Sequence, residues 1–242
     1  MIPALRDKAV TPRYAVYWTP PADHPLWRAG CDWLGRDAER AQVDRPGEGP
    51  EALTRAPRRY GFHATLKAPM RLRGAADTHT FITAVATLAL RHREFTMPPL
   101  QVDRLGDFVA LRPTVDLLPA HPLRRLADDC VSSLDEWRAP ASEGEVARHM
   151  PSGRPDPQRD ARVQRWGYPH VFAHWRFHLT LSDSLTSEPE RSALTRRATR
   201  HFTEALREPL NCGGLSVFVE TEPGADFSLL QRVPLAAVAT LP

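Results

Sequence analysis

Two five-residue words recur in this chain, in the same order and at nearly the same spacing. Phe62-His63-Ala64-Thr65-Leu66 is followed, 44 residues after its histidine, by Asp107-Phe108-Val109-Ala110-Leu111. Phe177-His178-Leu179-Thr180-Leu181 is followed, 48 residues after its histidine, by Asp226-Phe227-Ser228-Leu229-Leu230. Between the two words each half carries a helical period and a strand period, so the pattern is a duplicated structural unit rather than a coincidence of short words. The duplication predicts an α+β chain of two pseudo-symmetric β-α-β-β lobes, with antiparallel sheets around a central cleft.

Period and punctuation place the other elements. Arg13 to Thr19 reads as a strand stopped by Pro20 and Pro21, and Asp23 as the cap of a helix from about His24 to Leu34. Residues 36–58, rich in Pro, Gly and Arg, read as a loop. Gly61 to Leu72 reads as a strand, and Asp77 as the cap of an amphipathic helix to about His92. Leu100–Leu105 and Phe108–Leu111 read as strands turning at Gly106-Asp107. A helix is predicted from His121 to Trp137, residues 138–157 as a mobile loop or lid, and a short helix from Gln158 to Trp166. Trp175–Ser182 reads as a strand, Ser187 as the cap of a helix to about Arg207, and Leu215–Glu220 and Phe227–Val233 as the last strands. The predicted organisation is one bilobal domain over 1–242. Its lobe halves are 61–112 and 175–234, with 13–35 and 121–137 packed on them.

Alternation along a strand sorts each repeated word into two faces. Phe62, Ala64 and Leu66 oppose His63, Thr65 and Lys67; Phe177, Leu179 and Leu181 oppose Arg176, His178 and Thr180. If the polar faces meet, the cleft holds two imidazoles, two hydroxyls and two cations. Displacement at phosphorus needs one group to activate the nucleophile and one to protonate the leaving oxygen, and imidazole can do either near neutral pH. Threonine hydroxyls can donate to non-bridging oxygens, and Lys67 and Arg176 can offset the growing negative charge. Tyr60 and Tyr168, each just before a repeated word, are candidates to flank a base or sugar. No step of this scheme requires a metal or another cofactor.

Other chemistries find little support. The 242 residues, 42% hydrophobic and 25% charged with a net charge of +3, are ordinary for a globular domain. No apolar run is long enough for a membrane span, and Met1 to Thr11 lacks the apolar stretch of a signal peptide, so a cytoplasmic location is expected. Cys31, Cys130 and Cys212 are too few and too scattered for a disulfide framework or a zinc site and are expected to be core thiols. His170, His174 and His178 would share one face of a helix, but Pro169 and the alternation from Trp175 onward argue against a helix there. Dinucleotide-binding, P-loop, serine-hydrolase and zincin motifs are missing from the sequence.

The paired F-H-x-T-L words, with histidines 115 residues apart, resemble the two H-x-[ST]-x signatures of the two-histidine (2H) phosphoesterase superfamily. The longer words RYAVYW, PLWRAGCDWLGRD, PRRYGFHATLKAP and WGYPHVFAHWRFHLTL resemble its phosphonate-operon-associated branch. The resemblance runs from about Arg13 to Val233 and departs mainly at Glu143 to Arg159. It implies the bilobal fold of that superfamily and hydrolysis of a cyclic phosphate without metal. His63 and His178 would be the catalytic pair, the first as acid and the second as base, with Thr65 and Thr180 on the phosphate. The implied partner is a small cyclic phosphate, such as a 2′,3′-cyclic nucleotide or a ribose cyclic phosphate, or an RNA-terminal cyclic phosphate. No membrane and no obligate protein partner is expected. The rival readings are an RNA end-processing or 2′-5′ ligase-like enzyme, and a module that binds phosphorylated ligands without turnover.

Overall fold

The computed structural model describes residues 11–40, 46–150 and 156–237. Its elements are β1 (Arg13–Trp18), α1 (Pro25–Leu34), α2 (Arg55–Tyr60), β2 (Ala64–Arg71), α3 (Thr78–Ala89), β3 (Phe95–Thr96), β4 (Leu100–Leu105) and β5 (Phe108–Pro113). They continue as α4 (Pro122–Ser133), α5 (Glu143–His149), α6 (Pro157–Trp166), β6 (Leu179–Thr180), α7 (Glu188–Phe202), β7 (Asn211–Cys212), β8 (Gly214–Glu220) and β9 (Ser228–Pro234). The fold is mixed α+β and the named strands pair antiparallel. No helix among the described residues is long and apolar enough to cross a membrane.

The sheets correct the expected lobes. One main sheet runs β2-β1-β8-β9 and the other β4-β5-β6, while β3 and β7 form a separate two-stranded pair. The first therefore joins the strand of the first F-H-x-T-L word to the strand of the second D-F-x-x-L word, and the other sheet makes the reciprocal exchange. Residues 61–112 and 175–234 are not separate lobes, because β4 and β5 leave β2 to pair with β6. One apolar core spans both sheets, with Val16, Leu66 and Val217 from the first and Val109, Leu111 and Leu179 from the second. Helices cross over as well: α4 packs on β2, and α1 on α7.

The helix starts share a device. His24 Nδ1 accepts from the Leu26 N–H at 3.0 Å and His121 Nδ1 from the Leu123 N–H at 3.1 Å, each with proline at the first helical position. His24, and not Asp23, is thus the cap of α1. Asp77 and Thr80 form the expected cap of α3 as a reciprocal box. Residues 36–58 hold the start of α2 as well as loop, and 41–45 lie outside the described residues.

Residues 138–157 are not an irregular loop where they are described. Ser142 and Glu145 form a capping box that starts α5, and Asp156 caps α6. Arg71 Nη2 fastens this segment to β2, donating to Pro140 O at 2.8 Å and Glu145 Oε2 at 3.0 Å. Residues 151–155 lie outside the described residues, as does the Met1 to Thr11 stretch apart from Thr11.

A bulge in β2 relocates one expected site residue. Tyr17 pairs with Thr65, but Val16 pairs with Lys67, so Leu66 is an extra residue and the alternation of faces inverts after it. Directly opposed residues share a face, and Val16 belongs to the main core, while Tyr17 belongs to a smaller cluster with Phe218 and Phe227. Lys67 therefore leaves the face of Thr65. It is 3% exposed, and its Nζ donates to Val131 O at 3.0 Å and Asp135 Oδ1 at 2.9 Å. Asp135 also accepts from Arg138 Nε at 2.8 Å and Arg165 Nη1 at 3.0 Å.

Breaking such a pair on one side leaves a buried charge without its partner, which costs about 3–5 kcal/mol, whereas replacing both members by apolar groups is close to neutral. Asp135→Leu should lower stability by about that amount, and adding Lys67→Met should recover part of the loss, since Arg138 and Arg165 still lack the Asp135 carboxylate. Urea denaturation of the two variants checks this, and equal stability of single and double variants would remove the buried pair as its cause.

Candidate active site

His63 lies one residue before β2, and Gly61 shapes its approach. Gly61 has φ +77°, in the left-handed region that favours glycine, and a Cβ there would stand 2.7 Å from the Ala38 Cβ. Its carbonyl lies 2.8 Å from His63 Nδ1. A carbonyl only accepts, so Nδ1 carries the proton and Nε2 keeps its lone pair. The Thr65 hydroxyl, 3.3 Å from Nε2, can donate to it. The ring stacks on Tyr17, centroids 3.8 Å apart.

His178 repeats the arrangement one residue before β6. Its Nδ1 lies 2.8 Å from the carbonyl of Arg176, again two residues earlier, so the same tautomer is set. The expected strand Trp175–Ser182 is reduced to Leu179–Thr180. Continuing the register of β5 would oppose Phe177 to Pro113, which has no N–H to give. The stacking is not repeated. Register matches Tyr17 with Thr65 and Ala110 with Thr180, so the place of the tyrosine ring is taken by a methyl group. Phe108 approaches His178 instead, at 5.6 Å between centroids.

Both imidazoles are held below the ordinary histidine range. Burial lowers His63 to about 4, the Gly61 carbonyl opposes that shift, and His178 adds to it. Burial also lowers His178, the Arg176 carbonyl opposes it, and His170 and Arg112 add to it. Charge on His178 opposes protonation of His63.

A cavity of about 300 Å³ opens beside these groups, with Thr65, Tyr168, Trp175, Arg176 and His178 on its wall. His63 and Thr180 stand off that wall: His63 meets it through the Thr65 hydroxyl, and Thr180 is half-buried on β6. The chain of Lys67 reaches the cavity, but its ammonium is held by Asp135 and is not available to a ligand. Arg176 is exposed and spends Nη1 on the carbonyls of Ala173 and Trp175. Tyr60 packs on Phe227 at 5.1 Å and lies 6.2 Å from the His63 ring, away from the cavity. The cavity also takes in Phe108, from the first D-F-x-x-L word, and Trp166, His170 and His174, which the repeated words do not mark.

The Trp175 Nε1–H donates to Thr65 O at 2.9 Å and the Trp33 Nε1–H to Leu181 O at 2.8 Å, so indoles tie both histidine segments to the other half of the chain. His170 precedes and His174 ends a 3-10 turn over Phe172–His174, and no group of three His, Cys, Asp or Glu side chains among the described residues is placed to hold a metal ion. Cys31, Cys130 and Cys212 are buried free thiols, and burial pushes Cys31 and Cys212 up to about 12.

Comparison with known proteins gives three findings. The family model described as "Protein of unknown function (DUF1045)" matches residues 65–228. A protein named ribose 1,5-bisphosphate phosphokinase PhnN from Janthinobacterium sp. (strain Marseille) is 38% identical over 235 residues, 93% of this chain and 51% of that protein. One of the same name from Laribacter hongkongensis (strain HLHK9) is 36% identical over 229 residues, 91% of this chain and 51% of its own. The chain thus spans about half the length of the curated relatives it matches. Among solved structures, E. coli LigT complexed with 3′-AMP aligns at 13% identity and a TM-score of 0.39, covering 93% of this chain and 99% of that one.

The neutral His63 makes stability depend on pH with a definite sign. Between the ordinary value of 6.5 and the lowered value of about 4 the unfolded chain binds a proton that the folded chain does not. Stability is therefore full above about 6.5 and falls as pH drops towards 4. The upper bound is about 3 kcal/mol, reduced because the residue is half-buried. His63→Gln should flatten the loss of melting temperature between pH 6.5 and 4. An unchanged slope would place the titrating group elsewhere.

Proposed function

This chain belongs to the DUF1045 family, and from its site geometry we propose that it hydrolyses a cyclic phosphate diester with its two repeated histidines as general base and general acid. The observation that carries the reading is the duplicated anchor. Each imidazole gives Nδ1–H to the carbonyl two residues earlier, so each presents a basic Nε2. The F-H-x-T-L words and their long flanks, which resemble the 2H phosphoesterases and their phosphonate-associated branch, support the same conclusion.

The balance of protons assigns the roles. His63, lowered to about 4, is neutral at pH 7 and takes a proton from water at Nε2 as the water oxygen bonds to phosphorus. We assign the proton of the pair to His178, and a bound phosphate anion favours that charged form. It gives this proton to the ester oxygen as the P–O bond breaks. These roles reverse the order that the resemblance implies. The Thr65 hydroxyl and Arg176, both on the cavity wall, donate to the non-bridging oxygens and offset their charge, and Thr180, standing off that wall on β6, is assigned the second hydroxyl contact by its place in the repeat. Each step uses a group of this chain, so excess chelator should leave the rate unchanged.

A ribose cyclic phosphate is the substrate class we favour. The relatives' name gives them ribose 1,5-bisphosphate as substrate, a ribose with a phosphate on C1. Opening a ribose 1,2-cyclic phosphate at O2 leaves that C1 phosphate. The aromatic wall of Phe108, Trp166, Tyr168 and Trp175 favours a second reading, a 2′,3′-cyclic nucleotide or RNA end whose base stacks there.

Phosphorus NMR of ribose 1,2-cyclic phosphate, nucleoside 2′,3′-cyclic phosphates and a short RNA with a cyclic phosphate end, in excess chelator, tests the reading. His63→Ala and His178→Ala should each lower kcat on the order of 10²–10⁴-fold, with the fold kept. Near wild-type turnover in either variant overturns the pair. Binding without turnover across the panel would make the protein a recognition module.

A further inference from the structure

A second cavity, of about 280 Å³, lies against the first and shares Trp175 and Arg176 with it. Three arginines from three segments line it: Arg112 at the end of β5, Arg124 on α4, and Arg176 before β6. Each is fastened through one terminal nitrogen. Arg112 Nη1 donates to Asp103 Oδ2 at 2.8 Å and Arg104 O at 3.1 Å. Arg124 Nη2 donates to Phe172 O at 3.2 Å, and Arg176 Nη1 to Ala173 O at 2.8 Å. The other terminal nitrogen of each has no protein hydrogen bond among the described residues. The carboxylate on the wall is Asp116, which is exposed, while Asp103 offsets Arg112 from outside the cavity.

We propose that this second cavity binds a terminal phosphomonoester carried by the same small substrate whose cyclic phosphate is opened next to His178. The proposal rests on the phosphodiesterase reading for its cyclic phosphate but not for its anion site. A phosphomonoester carries nearly two charges at pH 7 and three acceptor oxygens, which suits three anchored guanidiniums better than the single charge of a backbone diester. Anchoring through one nitrogen lowers the entropy lost when the others close on an anion. Arg176 stands on both walls, so the two phosphates of one ligand would share it. Such a substrate is a ribose cyclic phosphate with a 5-phosphate, and its hydrolysis product is a ribose bisphosphate. A reaction that consumes this product must act on a ribose already phosphorylated at both ends.

Two measurements separate this proposal from the one it rests on. The first is kcat/KM for ribose 1,2-cyclic phosphate with and without a 5-phosphate, in the wild type, Arg112→Gln and Arg124→Gln. The variants are tested singly because Arg124 also holds the Phe172 carbonyl. A 5-phosphate should raise kcat/KM at least about tenfold in the wild type, and either variant should shrink that ratio several-fold. An equal ratio in all three proteins overturns the second site. An arginine dependence seen with RNA but not with the 5-phosphate would assign the cavity to a neighbouring backbone phosphate and overturn it too. The second measurement is calorimetric binding of ribose 5-phosphate, which needs no turnover. Binding kept in Thr65→Val and weakened about tenfold or more in Arg112→Gln supports the site even if no cyclic phosphate is cleaved. The reverse pattern places the anion beside the threonines and overturns it.

Discussion

The Trp175 indole N–H on the Thr65 carbonyl is the contact on which the geometry of the cleft depends. It joins the segment leading to one histidine to the strand leading from the other. Catalysis by two imidazoles requires them to face a common atom, and two lobes hinged on a linker would not hold them there. The exchange of strands serves the same constraint. Because β2 pairs within a sheet completed by β8 and β9, and β6 pairs with β5, neither sheet forms without both halves of the chain. A continuous core from Val16 to Leu179 then makes the relative placement of the histidine strands a property of packing rather than of a flexible joint.

The anchors convert that placement into chemistry. A histidine side chain one residue ahead of a strand has freedom to rotate, and fixing Nδ1 on the carbonyl two residues earlier removes it. The same bond decides the tautomer, so position and proton location are set together. Burial then holds both rings neutral, which suits a base but deprives an acid of its proton. In the proposed reaction, net negative charge on a bound ligand returns a proton to one ring, which then serves as the acid.

The helices and most strands were legible because their signals are local: apolar period, capping residues and the turn at Gly106-Asp107. Strand partnership was not, since a repeated word gives the order of units along the chain and not which strand lies beside which. Lys67 shows a finer limit. Alternation placed it with His63 and Thr65, and one inserted residue at Leu66 moved it to the core side, where Asp135 receives it. Two further local signals are present in the sequence. His24-Pro25-Leu26 and His121-Pro122-Leu123 repeat as helix starts and extend the duplication back to β1 and β5. Ser142-Glu143-Gly144-Glu145 is a capping box inside the stretch expected to be a lid. Tyr17 under His63 had no such signal, because its place follows from the register of β1 on β2.

Departures from symmetry explain how duplicated halves acquire different tasks. Register gives His63 a tyrosine at 3.8 Å and gives the corresponding place near His178 to Ala110. A ring stacked on a phenol at 3.8 Å has surroundings unlike those of a ring whose aromatic neighbour is 5.6 Å away, so one substitution makes an otherwise repeated pair unequal. Two identical imidazoles facing one phosphate would share a proton between equivalent states. In the proposed reaction the unequal surroundings of the two rings break that degeneracy, so that one ring receives a proton while the other holds one to give.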